Sequence, residues 1–353
     1  MAGLFPPQER ALALPAEAPL TPRAAERLGR EAAIQPFDQA AKALQIDWGR
    51  AMHGRQVQRW SQALGSALVV RRDREVLAYQ ERGIRPEAPP NEPALLVIGL
   101  DGGRVQSKEK NEETGSRWVE DKVCTLTTYL PGDGDEKEPT PLVTTSVATM
   151  RDAAAFGPMV RIEAERRGVR AAHQILALCD GGNWIDPLLI TFFGVLVRII
   201  DWCHASEHLW DAARAAFGPN TSEAAMWGER WEAMLWHGRV EEVIEALARE
   251  SNRLGIPQED DGPQHPRRVL AQNVGYFTKH KDHMRYPEYR AKGWPIGSGV
   301  TEAAVKQFNK RVKGTEQFWQ ERGVEPILML RSLWISQDDR WSDYWTNRPA
   351  YVN

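Results

Sequence analysis

The chain has 353 residues, 42% hydrophobic and 26% charged, with a formal net charge of −3, which excludes a disordered chain and a protein that coats nucleic acid by bulk charge. Its longest candidate for a membrane helix, residues 187–200, is short and carries Arg198, against the roughly 18 apolar residues a span requires. Three cysteines, Cys124, Cys179 and Cys203, cannot all pair and show no CxxC spacing, so neither a disulfide framework nor a cysteine zinc site is indicated.

The first ten residues lack the basic-then-apolar pattern of a secretory signal, so a soluble, cytoplasmic protein with no membrane partner is expected. Residues 1–20, rich in Pro and Ala, are expected to be disordered. Residues 21–84 read as helical. Thr21 can cap the first helix with Pro22 at its first position, and two further helices, residues 36–44 and 53–64, are joined by a turn through Asp47-Trp-Gly. That spacing fits a helix-turn-helix, with Arg55, Gln56, Gln58 and Arg59 on the second helix able to reach DNA; a helical packing module is the alternative. Residues 85–93 contain Pro86, Pro89, Pro90 and Pro93 and mark a boundary.

Beyond it, strands are expected at residues 95–100, 118–130 and 141–147, a helix at 151–167, and a buried strand at 173–179. This β-β-β-α-β order begins an RNase H-like domain of mixed α/β class, divided into residues 92–200 and 293–335. Residues 201–292 form an α-helical insertion and 336–353 a C-terminal tail. An antiparallel meander followed by a parallel strand sets the ends of the first and fourth strands side by side. Asp101 and Asp180, each followed by two glycines, then meet despite the distance between them in sequence. A third acid, Glu302, opens a helix with Val305, Phe308 and Val312 on one face and Glu302, Lys306, Asn309 and Lys313 on the other. Between Gln264 and Arg322 twelve Lys or Arg face five Asp or Glu, so the third acid lies in a locally basic stretch suited to phosphates. Two strand-end carboxylates and one on a helix can share a pair of divalent ions for phosphodiester displacement.

A competing pattern is H-x-x-E-H at His204, Glu207 and His208, the order found in inverted zinc peptidases. It leaves Asp101, Asp180 and the basic helix unexplained. The preferred reading puts Asp201 at the end of a strand through Arg198-Ile-Ile, with His204 and His208 supporting the site. Of the fourteen tryptophans, Trp294 and Trp319 are the best placed to stack on unpaired bases.

Asp101-Gly-Gly, Cys179-Asp180-Gly-Gly-Asn-Trp-Ile, Asp201-Trp-Cys-His-Ala-Ser-Glu-His-Leu and Gly297-Ser-Gly-Val-Thr-Glu302-Ala-Ala-Val-Lys resemble the DDE transposases of bacterial insertion sequences, most closely the ISKra type. That resemblance runs from about Thr21 to Trp334. It implies an RNase H-like fold with a metal-binding triad of Asp101, Asp180 and Glu302 holding Mg²⁺ or Mn²⁺, two ions in all. It also implies an endonuclease and strand-transfer enzyme with Lys306, Lys310, Arg311 and Lys313 gripping DNA. The partners it implies are element ends and target DNA, bound by a homodimer or higher oligomer at the bacterial nucleoid. Some relatives carry more DNA-binding sequence upstream, so a short form is expected. A DNA-binding relative without catalysis is the alternative within the same family.

Overall fold

The computed structural model describes residues 20–110, 115–134, 136–314 and 317–347. The expected disorder of residues 1–20 falls outside these, except at Leu20, which is buried.

Three helices come first: α1 (Pro22–Ile34), α2 (Phe37–Trp48) and α3 (Gly54–Arg82). Thr21 Oγ1 accepts from the Ala24 amide at 3.4 Å and Pro22 occupies the first turn, as the sequence predicts. The second helix of the expected pair is far longer than residues 53–64. It continues through Gly65 to Gly83, whose left-handed φ of 66° ends it.

Strand β1 (Leu95–Gln106) pairs antiparallel with β2 (Trp118–Leu130), which pairs antiparallel with β3 (Thr140–Thr149). Helix α4 (Ala153–Arg166) leads to β4 (Gln174–Cys179), parallel to β1; α5 (Ile185–Phe193) leads to β5 (Val197–Ile200), parallel to β4. The result is a five-stranded mixed sheet in the order β3-β2-β1-β4-β5, consistent with an RNase H-like fold. One expectation changes here. Asp101 does not end its strand, because β1 runs on through both glycines to Gln106.

Strict alternation along β1 explains how both faces are buried. Leu96, Ile98 and Leu100 pack with Phe156, Met159 and Val160 of α4 and Ile185 and Leu188 of α5. On the other face Leu95 and Val97 meet the helices that follow β5, namely α6 (Trp202–Phe217), α7 (Ser222–Trp236), α8 (Val240–Leu254), α9 (Pro266–His280) and the short α10 (Tyr286–Ala291). These helices occupy the stretch read from the sequence as an insertion, residues 201–292. Its entry and exit touch, since the Trp202 amide donates to the Ile296 carbonyl at 2.8 Å. The chain therefore returns to the sheet where it left.

Helices α11 (Gly299–Val312) and α12 (Glu321–Ile335) close the remainder of that face. The N-terminal helices share their core: Leu28, Leu44 and Leu64 cluster with Val105, Val123, Phe308 and Ile327. A Cβ on Gly65 of α3 would lie 2.2 Å from the Pro326 carbonyl, so the two helices cross in direct backbone contact. Residues expected as a tail also fold back, as α13 (Arg340–Thr346) buries Trp341 and Trp345 beside Gly29. Among the described residues no helix is long and apolar enough to cross a membrane.

Candidate active site

The last residues paired between β1 and β4 are Leu100 and Cys179, so Asp101, still within β1, and Asp180, the first residue past β4, are neighbours on one sheet face. Both are half-buried. The glycines after each acid supply donors: Gly102 N–H to Asp101 Oδ1 at 2.6 Å, and Gly182 N–H to Asp180 Oδ1 at 3.0 Å. Gly181 between them has a φ of 113°, where a side chain would be strained and would also meet the His280 ring.

Glu302 reaches this corner because α11 sits unusually close to β1. A Cβ on Gly99 would lie 1.9 Å from Thr301 Oγ1, and that hydroxyl is hydrogen-bonded to Thr125 Oγ1 of β2 at 2.8 Å. Gly99 is thus the seat of the helix. Glu302 is in the first turn, where the helix dipole favours its charge, and receives Lys306 Nζ at 2.9 Å.

The electrostatics record the gathering of acids. Burial pushes the Asp101 carboxyl up to about 6; the Gly102 hydrogen bond opposes this, the charges of Asp180 and Glu302 add to it, and His204 lowers it. Asp180, Glu302 and His204 therefore lie close enough to Asp101 for their charges to act on it. Among the described residues, no three His, Cys, Asp or Glu side chains are drawn together into a group able to hold a metal ion. The three acids share a corner without converging.

Asp201 has a structural task. It ends β5 as expected, is 2% exposed, and its Oδ1 caps α6 by accepting from the His204 amide at 2.7 Å. Its Oδ2 accepts from the Ser298 amide, tying the segment before α11 to the strand end. His208 gives its Nδ1 to Asn273 Oδ1 at 2.7 Å and stacks on Tyr276 at 3.9 Å, while Tyr276 Oη donates to the Asp180 carbonyl at 3.1 Å. Burial holds His208 below the usual imidazole range. His204 lies 4.9 Å from it, edge to face. Glu207 of the H-x-x-E-H pattern points outward, 77% exposed, and His208 connects to the Asp180 carbonyl through Tyr276.

The cationic residues divide. Lys306 and Lys310 are exposed on α11 and Lys313 is exposed just past its end, its Nζ over the Trp118 ring at 5.2 Å. Arg311 corrects the expected DNA-gripping set: it is fully buried, 4.6 Å from the Phe37 ring, and donates to the Ala32 carbonyl. Position 311 follows Phe308 by three, which turns it onto the apolar face. Arg55 and Arg59 are exposed in the first turns of α3. Trp319 is a second correction, being 7% exposed with its Nε1 donating to the Val312 carbonyl at 2.8 Å. Trp294 is half-buried against Tyr289, with Lys292 Nζ 4.6 Å from its ring.

Sequence reasoning missed Asn273 and Tyr276, whose helical pattern carries no chemical signature, and Asp121 of β2. Asp121 is wholly buried, and burial, then the charges of Glu120 and Asp101, push its carboxyl up to about 6. The available signal was an acid entering the apolar run Val123-Cys-Thr-Leu at a fixed alternation.

No family model matches the chain, and no curated protein is similar to it. Among solved structures, the Drosophila P element transposase strand transfer complex is similar at 8% identity and a TM-score of 0.31, over 85% of this chain and 96% of that one. So low a score adds nothing to what the sheet order and the site residues carry themselves.

Proposed function

We propose that the protein is a DDE-type transposase, a polynucleotidyl transferase that cuts DNA at the ends of an insertion sequence and joins them to target DNA. The observation that supports this reading is the meeting of Asp101 and Asp180 across a parallel strand pair, with Glu302 brought to them by the helix seated on β1. The donor type suits divalent cations, although the three acids are not drawn into one group. Three carboxylates are hard oxygen ligands of the kind Mg²⁺ and Mn²⁺ take, and Asp101 carries a repulsion from the other two that a cation relieves.

Asp101, Asp180 and Glu302 would hold the ions, which when bound supply Lewis-acid activation of the attacking oxygen and neutralise charge on the phosphate. The protein's own residues do the positioning. Gly102 and Gly182 amides fix the two aspartates, and Asp201 and Thr301 fix the start of α11. Lys306 and Lys310 on the exposed side of that helix, and Lys313 just past its end, serve as phosphate contacts. Joining paired element ends calls for more than one copy of the chain on DNA.

The test is cleavage of end-containing DNA in Mg²⁺ by Asp101→Asn, Asp180→Asn and Glu302→Gln. Each should lose activity by on the order of 10³-fold or more while staying folded. A variant that cuts like the parent removes its residue from the triad.

A further inference from the structure

Beyond Leu100, where pairing with β4 stops, β1 and β2 run on as a ribbon that ends with Gln106 opposite Trp118. Residues 317–319 lie along the edge of β1 that β4 leaves free. The Trp319 amide donates to the Gln106 carbonyl and the Lys108 amide to the Trp319 carbonyl, both at 2.8 Å, which sets Trp319 beside Ser107 in parallel register. Phe318 is then level with Gln106. Side chains level with one another across a sheet share a face, so Trp118, Gln106 and Phe318 project together and Trp319 projects to the opposite side.

The exposures agree with that register. Trp319 packs inward, 5.7 Å from the Phe37 ring, whereas Trp118 and Phe318 are 40% and 42% exposed. With strands about 4.7–4.9 Å apart, the two outward rings leave the backbone roughly 10 Å from each other. Each has a cation over it: Lys313 Nζ is 5.2 Å from the Trp118 ring, and the Arg117 guanidinium is 5.6 Å from that of Phe318. Arg117 is steadied by donating to the Lys108 carbonyl. Arg104, Lys108 and Lys110 are exposed on the same ribbon beside Glu109 and Glu120, and Glu120 is engaged by Lys122 at 2.8 Å. Exposed rings with cations at their faces suit a ligand that presents flat aromatic groups and anions in alternation, which is an unpaired nucleic-acid strand. An apolar protein surface would desolvate Lys313 and Arg117 and offer their charge nothing in return.

We propose that Trp118 and Phe318 form a stacking platform for unpaired nucleotides of a DNA strand, with Lys313 and Arg117 meeting the adjoining phosphates. This rests on the reading of the protein as one that acts on DNA, and on no metal ion.

The experiment is fluorescence anisotropy with the full chain in EDTA, at several salt concentrations, using a labelled thymidylate strand and an abasic strand of the same length. Trp118→Ala and Phe318→Ala should each weaken thymidylate binding about tenfold, as the loss of one base–aromatic stack does. The slope of log affinity against log salt should not change, because no phosphate contact is removed, and the abasic strand should bind the variants and the wild type alike. Trp118→Tyr keeps a ring and should restore most of the affinity. Thymidylate affinity within about twofold of wild type in either folded alanine variant would overturn the platform, as would an equal loss on the abasic strand. Alanine variants that keep their affinity but change oligomeric state in light scattering would make this face a contact between copies of the chain instead. Wild-type binding of both strands with unaffected variants removes the platform alone; a wild type that binds neither strand removes the DNA reading with it.

Discussion

Asp101→Asn should make the metal-free protein more stable at pH 8, which is the reverse of what replacing a structural acid does. In an unfolded chain the Asp101 carboxyl titrates at 3.8, and in the folded protein at about 6. Its favourable contribution is fully present below 3.8, where both states are protonated, and is lost as pH rises through 6. Above that, folding must keep ionised a group that its surroundings disfavour. The difference of roughly 2 pH units corresponds to about 3 kcal/mol at most, trimmed because the group is only half-buried. Asparagine has nothing to ionise, and its Oδ1 can still accept the Gly102 amide. Unfolding in urea with EDTA, followed by fluorescence of the fourteen tryptophans, should give near-equal stability at pH 4 and an advantage of about 2–3 kcal/mol for the variant at pH 8. A gap that does not change with pH, or a variant weaker at pH 8, would refute the claim that Asp101 is held against the fold's own preference. Acids retained at such a cost are characteristic of sites kept for function.

Replacing Lys306 and Lys313 with Ala should weaken DNA binding across sequences and reduce the slope of log affinity against log salt by about 2, as expected for two lost phosphate contacts; an unchanged slope in a fluorescence titration would return both to a solvated helix face. Arg311→Ala should leave that slope alone and lower the unfolding temperature, since the side chain packs between Phe37 and Trp319. Arg340→Ala should cost about 3–5 kcal/mol at pH 7 in urea unfolding, because Glu163, 2% exposed, would lose the largest of the opposing charges and keep Arg166 at 2.6 Å and the Thr145 hydroxyl to offset its burial. Burial alone would raise Glu163, yet Arg340 and Arg166 hold it far below the usual carboxylate range. Its contribution is therefore present near neutrality and lost as pH falls; a loss under 0.5 kcal/mol would mean the Arg340–Glu163 pair does not offset the burial of Glu163.

The sheet was legible because alternation along residues 95–100 and the β-branched content of 118–130 have few other solutions. The continuation of β1 was not. A Gly-Gly pair reads as a turn, and only the cross-strand partners Glu120 and Asp121, which fill the space over Gly102 and Gly103, account for glycine within a strand. Arg311 was read by its chemistry when its spacing from Phe308 carried the answer. Trp341 and Trp345, four apart, likewise mark a buried helix face in a segment that looks like a tail. Asp121 was passed over because strand register, which sets its face, cannot be counted until the β1–β2 pairing is known.

The site depends on where α11 stops along β1. A slip of one helical turn would carry Glu302 about 5.4 Å from the aspartates, so the register must be fixed by contacts that admit no sliding. Two such contacts exist. Thr301 fits over Gly99 and bonds Thr125, which locks the height of the helix, and Asp201 holds the Ser298 amide, which locks its start. Neither contact involves the three acids. The insertion between Asp201 and Ile296 can therefore be long without disturbing the site, because the chain is pinned at Trp202 and Ile296 where it departs and returns. Helices α6 and α9 contribute back to the same corner through His208, Asn273 and Tyr276, which brace the Asp180 carbonyl. The acids are free to repel one another because everything around them is held by other means.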